Sequence, residues 1–127
     1  RWHSVTGVQT CALPISVITR TSHQMKVVQE EIFGPVVVAM PIDSLDDVPR
    51  LANDSRYGLA ASVWTQDLSK ATRFASAIKA GTVWVNCHLM YDAALPIGGF
   101  KESGWSRDSG MQAVENYLET KTVCMVV

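Results

Sequence analysis

The stretch that decides the fold is a hexapeptide followed by an apolar run, Glu30-Glu31-Ile32-Phe33-Gly34-Pro35 and then Val36–Met40. Glycine reaches backbone angles that other residues avoid and proline fixes its own φ, so the Gly34-Pro35 pair predicts a rigid turn. The β-branched run after the turn predicts a strand that is buried on both faces. The turn would therefore hold a carboxylate and an aromatic ring at a strand edge, where α/β proteins commonly bind their ligands.

Composition excludes several classes of protein. The 127 residues are 47% hydrophobic, which is enough for one domain with an apolar core. A net charge of −1 and the absence of a basic block argue against nucleic acid or a membrane surface as a partner. No apolar stretch approaches the roughly 20 residues of a membrane span. The three cysteines show neither CxxC nor zinc spacing, so we expect no metal site and a reduced, cytoplasmic setting.

Helices and strands are predicted to alternate along the chain. A helix over about 45–54 follows the first apolar strand, and Pro49 predicts a distorted start. Tyr57-Gly58 is predicted as a break, or punctuation, between the helix and a strand over 59–65. Asp67 is the predicted cap of a second helix that has Lys79 in its last turn and stops at Gly81, and a strand follows over 82–86. This alternation indicates an α/β architecture.

A loop rich in turn-forming residues follows that strand. Asn86 closes the strand and is expected to tie backbone segments together. Pro96 and three glycines (Gly98, Gly99 and Gly104) then exclude regular structure and allow close backbone approach. Ordered loops at strand ends are where function is usually located.

Three blocks in this order resemble the aldehyde dehydrogenase superfamily: the Glu-Glu-Ile-Phe-Gly-Pro motif, the segment Tyr57–Val63, and Asn86 followed by Pro-x-Gly-Gly-x-Lys-x-Ser-Gly at 96–104. The resemblance runs from Val17 to the C-terminus. It implies the C-terminal part of the catalytic domain over 17–116, with short strands alternating with helices, and an oligomerisation strand over 117–127. Val5–Ile15 resembles a translated sequencing adaptor instead, and we expect a spurious or disordered leader over 1–16.

The resemblance also implies roles for four side chains. Glu31 would grip the nicotinamide ribose of NAD or NADP, because one carboxylate can accept both hydrogens of a vicinal diol. Phe33 would pack near the nicotinamide ring. Tyr91 and Ile97 would line the aldehyde tunnel, and Ile97 is smaller than the aromatic ring that many members carry there. More room beside the reacting carbonyl is therefore expected.

Other polar residues are interpreted without a catalytic role. Lys101 is either a phosphate contact or, as we favour, a solvated loop lysine. Cys87 and His88 look like a nucleophile beside a base, but neighbours on a strand project to opposite faces, and the family nucleophile belongs to an upstream motif. Ser106 replaces a family glycine, which would strain the backbone if its φ were positive. Asp108 replaces a family glutamate and precedes a predicted helix over about 110–118.

The implied enzyme oxidises an aldehyde to a carboxylic acid. In the family a cysteine thiolate attacks the aldehyde, hydride passes to NAD(P)+, and water activated by a glutamate releases the acid. This chain would supply the ribose clamp and one tunnel wall but neither nucleophile nor base, so alone it is expected to be inactive. A homo-oligomer, dimer or tetramer, would form through the C-terminal strand. One alternative is a non-catalytic strand–helix assembly module; another is an acylating relative that uses coenzyme A.

Overall fold

The computed structural model describes residues 3–4 and 15–127, and the chain divides into two units, Arg1–Leu51 and Ala52–Val127. Most of the predicted leader over 1–16 therefore lies outside the described residues. The elements alternate as the α/β prediction requires, and each unit contains parallel strand pairing. Within the described residues, no helix has the length and apolarity needed to cross a membrane.

The first unit is built on a three-stranded sheet. Strand β1 (His3–Ser4) pairs antiparallel with β2 (Ser16–Ile18), and β2 pairs parallel with β3 (Val36–Val38). A parallel pair needs a crossover, and the connection here contains one helical turn, α1 (Lys26–Gln29), that the sequence did not predict.

The prediction that β3 is buried on both faces is wrong. The strand is shorter than the predicted 36–40 and its central residue, Val37, is 51% exposed. The strand lies at the edge of the small sheet and pairs only with β2, and the described residues leave the side chain of Val37 half uncovered.

The distorted helix start at Pro49 is confirmed. A 3₁₀ turn (Leu45–Asp47) comes first, and α2 (Val48–Asn53) continues from it. The Ser44 hydroxyl caps the turn by accepting a hydrogen bond from the Asp46 N–H at 3.2 Å. Proline near the start loses little, because the first amides of a helix have no intrahelical acceptor.

The second unit contains a parallel strand–helix–strand unit. Strand β4 (Tyr57–Gly58) precedes β5 (Ala60–Val63), and β5 pairs parallel with β6 (Thr82–Val85) through the connecting helix α3 (Leu68–Ala77). Asp67 caps α3 as predicted and accepts a hydrogen bond from the Lys70 N–H at 3.1 Å. The helix ends at Ala77, so Lys79 is not in its last turn.

The core of the second unit lies where α3 packs on β5 and β6. Among the described residues the buried apolar side chains are Ala71, Phe74 and Trp84. Ala71 and Phe74 are three residues apart on one face of α3, which is the spacing that places side chains together on a helix. Most hydrophobic residues of the described chain are therefore not buried in a core, and many large apolar side chains are exposed.

Close backbone contacts between glycines hold the loop after β6 against this unit. Strand β7 (Phe100–Lys101) pairs antiparallel with β4, so Tyr57-Gly58 is a short strand rather than only punctuation. A Cβ added to Gly58 would meet the Lys79 carbonyl oxygen at 2.6 Å, and one added to Gly81 would overlap the Gly98 carbonyl. Gly98 therefore packs closely against Gly81, whereas a Cβ added to Gly104 would meet nothing within 4 Å.

The predicted strand over 117–127 is not present in the single chain. Helix α4 (Gly110–Glu115) is followed by a turn, and residues 119–127 have no regular secondary structure. A strand needs a neighbouring strand to pair its N–H and C=O groups, and the described part of this chain offers none at that position. Val126 is 97% exposed there.

Candidate functional site

The hexapeptide Glu30–Pro35 contributes to the wall of an open pocket in the first unit. The pocket has a volume of about 530 Å³ and is lined by Glu30, Glu31, Phe33 and the residues of β3. The structure therefore brings the two predicted cofactor-binding side chains, Glu31 and Phe33, to one pocket. The turn before β3 positions both, since Pro35 fixes the backbone at the strand entrance.

The two adjacent carboxylates have different partners. Lys26 Nζ lies 3.7 Å from Glu30 Oε1, one helical turn earlier, so Glu30 belongs to an ion pair on the surface of α1. The Glu31 carboxylate has no hydrogen bond or ion pair within the described residues, and its side chain is exposed on the pocket wall. Glu31 can therefore accept hydrogen bonds from a ligand without first leaving another partner.

Phe33 has an unusual backbone conformation for an aromatic residue. Its φ is +56°, in the left-handed region that side chains with a Cβ rarely occupy, and the residue is 92% exposed. Such strain persists only where the surrounding chain imposes it, and it is concentrated at ligand sites. Glu31 and Phe33 thus give this pocket an acceptor for hydrogen bonds and an exposed aromatic ring.

Tyr91 lies in the second unit, on the loop after β6. Its ring meets the ring of buried Trp84 edge-on, with centroids 5.6 Å apart and planes at 81°. The Trp84 Nε1–H donates to the Met90 carbonyl oxygen at 2.8 Å and so holds the residue before Tyr91. Tyr91 is 58% exposed, which leaves most of its ring available.

Ile97 is fixed by backbone pairing with Asp108. The N–H of each residue donates to the carbonyl of the other at 2.7 Å, which forms an isolated antiparallel bridge. Ile97 lines an open pocket of about 420 Å³ together with Leu59 and the glycine-containing segment over 98–106, and Tyr91 does not line it. The structure thus places the two predicted tunnel residues on one loop but not in one pocket.

Lys101 is exposed, as expected of a solvated lysine, and it also contacts the main chain. Its ammonium group donates to the carbonyl oxygens of Asn53 and Ser55, both at 2.8 Å. Its φ of +55° turns the chain so that the side chain reaches back to these carbonyls. Sequence reasoning missed this role because the acceptors lie more than 40 residues earlier and are backbone atoms.

Asn86 ties backbone together, as expected from its position. Its Oδ1 accepts from the Thr65 N–H and its Nδ2 donates to the Thr65 carbonyl, both at 2.8 Å. Its φ of +54° is one that asparagine tolerates better than most residues. This pair joins the ends of β5 and β6 at the start of the loop that carries Tyr91.

Cys87 and His88 lie beyond the end of β6 rather than on it, so the strand-alternation argument does not apply to them. Nδ1 of His88 lies 2.7 Å from Ser62 Oγ, and its ring lies edge-on to Trp84 at 5.1 Å. The Ser62–His88 contact was not predicted. The parallel register could have indicated this contact, because it places Ser62 on β5 directly beside Trp84 on β6.

Ser106 is not among the described residues with positive φ, so the condition for backbone strain at this serine is not met. The serine of this segment that has a positive φ is Ser109, at +62°, immediately before α4. Among the described residues, no group of three or more His, Cys, Asp or Glu side chains is arranged to hold a metal ion.

Comparisons with known proteins agree with these motifs. The model of the aldehyde dehydrogenase family matches residues 9–123, a match that begins within the predicted leader. The chain is 47% identical over 112 residues to aldehyde dehydrogenase, cytosolic 1, of Rattus norvegicus, covering 88% of this chain and 22% of that protein. It is 46% identical over 117 residues to aldehyde dehydrogenase [NAD(P)+] 1 of Saccharomyces cerevisiae, covering 92% of this chain and 23% of that protein.

The fold agrees as well. The structure of the Bacillus cereus aldehyde dehydrogenase in complex with NAD+ superposes with a TM-score of 0.82 at 49% identity, covering 85% of this chain and 22% of that one. The chain spans about a fifth of the length of the relatives that it matches. With most of its residues matched by the family model and its fold shared with a solved member, this chain belongs to the aldehyde dehydrogenase family.

Proposed function

We propose that this chain contributes the nicotinamide-ribose clamp and part of the substrate tunnel of an NAD(P)-dependent aldehyde dehydrogenase, which oxidises an aldehyde to a carboxylic acid. Family membership supports the reaction class. The relative from Bacillus cereus was solved with NAD+, and the yeast relative is named for NAD(P)+, which supports a nicotinamide dinucleotide as cofactor. When bound, the nicotinamide accepts a hydride from the substrate carbon.

The observation that carries this proposal is that one of the two adjacent glutamates is ion-paired and the other is not. Glu30 is paired with Lys26, whereas the Glu31 carboxylate is unpaired within the described residues and borders the pocket. A carboxylate has two acceptor oxygens, so Glu31 can receive both hydroxyl hydrogens of a ribose diol. Hydrogen bonds to a charged acceptor are stronger than neutral ones, which favours a firm hold on the ribose.

Phe33 and the two loop residues complete the proposed contributions. The exposed Phe33 ring, held by a strained backbone, would pack near the nicotinamide. Tyr91 and Ile97 would form part of the tunnel wall, Tyr91 with its ring half-exposed and Ile97 on a backbone bridge. The side chains proposed here bind and orient the reactants. The nucleophile and the base are assigned to other parts of the parent enzyme.

The test is a chimera in which this chain replaces the matching segment of the Bacillus cereus enzyme. We expect the chimera to reduce NAD+ when an aldehyde is added. The absorbance of the NADH that forms measures the rate. Substituting Glu31→Gln should lower kcat/KM for NAD+ by about 10- to 100-fold, the effect of losing a hydrogen bond to a charged group.

The matched control is Glu30→Gln, which removes only a surface ion pair and should change kcat/KM by less than about threefold. A folded chimera that reduces no NAD+ contradicts the proposed function. Equal losses for the two glutamine variants would contradict the assignment of the ribose contact to Glu31.

We propose further that residues 17–116 belong to the catalytic part and that 117–127 form an oligomerisation segment, in a dimer or a tetramer. The support is the exposure of apolar side chains in that segment, with Tyr117 at 89% and Met125 at 80%. Pairing with a second copy would supply the neighbour that a strand requires. Sedimentation velocity of the chimera, with and without Val126→Lys, tests this; an unchanged sedimentation coefficient contradicts it.

We also propose a cytoplasmic location, which the name of the rat relative supports.

A further inference from the structure

Three aromatic side chains form a cluster at the start of the loop after β6. Trp84 is 8% exposed, and its ring meets two neighbours edge-on: His88 at 5.1 Å and Tyr91 at 5.6 Å. The interplanar angles of 73° and 81° are those that aromatic pairs favour. Trp84 thus contacts both rings, and His88 and Tyr91 lie three residues apart on the same loop.

Two hydrogen bonds hold this cluster to the sheet. Trp84 Nε1–H donates to the Met90 carbonyl at 2.8 Å, and Ser62 Oγ lies 2.7 Å from Nδ1 of His88. Ser62 and Trp84 are direct partners in the parallel register of β5 and β6. His88 is therefore held to β5 by its hydrogen bond and to β6 by its ring contact, two residues before Met90, which Trp84 holds.

We propose that His88 is a positioning residue for Tyr91, acting through Trp84, and that it thereby sets which aldehydes the enzyme prefers. The aldehyde preference follows from the proposed function, since it requires Tyr91 to line the tunnel. Anchored by Ser62, the His88 ring limits the positions open to the Trp84 ring, and Trp84 in turn supports one edge of Tyr91. Released from Ser62, His88 leaves Trp84 covered on one side only.

The Ser62–His88 pair is better explained as a support than as a nucleophile with its base. No carboxylate among the described residues hydrogen-bonds to His88, so nothing there orients the imidazole as the third member of a triad does. A serine hydroxyl can donate to or accept from a ring nitrogen, so the pair forms with either neutral tautomer.

The first experiment measures Tyr91 directly in the 127-residue chain, using NMR of ring-labelled tyrosine assigned with a Tyr91→Phe variant. Ring protons beside an aromatic face are displaced by its ring current, so they report the Trp84–Tyr91 geometry. Ser62→Ala and His88→Ala should both move the Tyr91 ring signals, and Ser62→Thr, which keeps the hydroxyl, should restore them. Unchanged Tyr91 signals in both alanine variants, with the backbone amide spectrum retained, overturn the proposal.

The second experiment measures aldehyde preference in the chimera, as the ratio of kcat/KM for a bulky aldehyde to that for a small one. His88→Ala should change this ratio by about threefold or more, and the change should disappear in a Tyr91→Ala background, since contacting residues are non-additive. His88→Phe keeps the ring and should retain part of the preference. A change that persists without Tyr91, or an equal loss for both aldehydes, shows a merely structural role.

Failure of the proposed function gives a different result. If Tyr91→Ala alone leaves the aldehyde ratio unchanged, Tyr91 does not line the tunnel and the claim about preference is overturned. The NMR result would then still decide whether His88 positions Tyr91, because it depends only on the geometry of the three rings.

Discussion

Asn86 and Thr65 form a reciprocal pair of hydrogen bonds in which the side-chain amide of Asn86 mimics a strand neighbour. Its oxygen accepts from the Thr65 N–H and its nitrogen donates to the Thr65 carbonyl, both at 2.8 Å. The pair lies just beyond the last residues of β5 and β6. The pair extends the hydrogen bonding between β5 and β6 beyond the strand ends. It also fixes the point at which the loop after β6 leaves the sheet.

Replacing Asn86 should therefore weaken the second unit. Asn86→Ala removes both hydrogen bonds and places an alanine at a φ of +54°, so we expect a loss of about 2 kcal/mol in the free energy of unfolding. Urea unfolding followed by tryptophan fluorescence measures it. Asn86→Gly loses the same bonds without the backbone strain and should cost about 1 kcal/mol less. Equal losses in the two variants would argue against strain.

A methyl group at Gly81 should be poorly tolerated. A Cβ there would overlap the Gly98 carbonyl, which is backbone and cannot rotate away. We expect Gly81→Ala to lower the free energy of unfolding by about 2–3 kcal/mol, as overpacking of a close contact does. Gly34→Ala is the control, since its nearest neighbour would be Ile32 Cγ2 at 3.9 Å. If both substitutions are equally mild, the backbone contact at Gly81 is not a tight one.

Lys101 should behave as a structural residue. Lys101→Met keeps the apolar stem but loses the donors to the Asn53 and Ser55 carbonyls, and we expect a loss of about 1–2 kcal/mol, moderated by solvent exposure. Lys121→Met removes an exposed lysine from the segment after α4 and should change stability by less than about 0.5 kcal/mol. Thermal unfolding of the two variants compares them. A Lys101 variant as stable as the control contradicts the observed hydrogen bonds.

The cap of α3 should be sensitive to acid. The hydrogen bond from the Lys70 N–H, with the Lys70 charge nearby, lowers the pKa of Asp67 below its ordinary value of 3.8. Because the folded pKa is the lower one, the charged cap stabilises the fold fully above 3.8 and stops doing so as the pH falls through the folded pKa. Thermal unfolding followed by circular dichroism between about pH 6 and about pH 2 should show this loss.

Asp67→Asn is the control for the acid experiment. Asparagine is as good an N-cap as aspartate but does not titrate. The variant should keep α3 at neutral pH and lose less stability than the parent on acidification. If both proteins respond to acid identically, the pH dependence arises from other carboxylates.

Features with short-range causes were predictable from the sequence. The Asp67 cap, the apolar spacing of α3 and the distorted start at Pro49 each depend on residues a few positions apart, and the structure contains all three. The tie made by Asn86 was foreseen from its place at a strand end. The motif also led to the pocket that Glu31 and Phe33 share.

Features that depend on distant backbone were not predictable. The acceptors of Lys101 lie more than 40 residues away, and the choice of Ser109 rather than Ser106 for a positive φ follows from how the chain enters α4. The exposure of Val37 and the missing strand over 117–127 have another cause, because both depend on which surfaces lie beside them. A pattern of β-branched residues indicates a strand but not its neighbours.

The loop between β6 and β7 is secured at its two ends, and between them the hydrogen bond from Trp84 holds the Met90 carbonyl. Asn86 fixes its departure, and the contact of Gly98 with Gly81 and the Ile97–Asp108 bridge fix its return. Mutations between these points can therefore exchange side chains without redirecting the main chain. Evolution can therefore change the side chains of this loop, and with them its chemistry, while the protein keeps its fold.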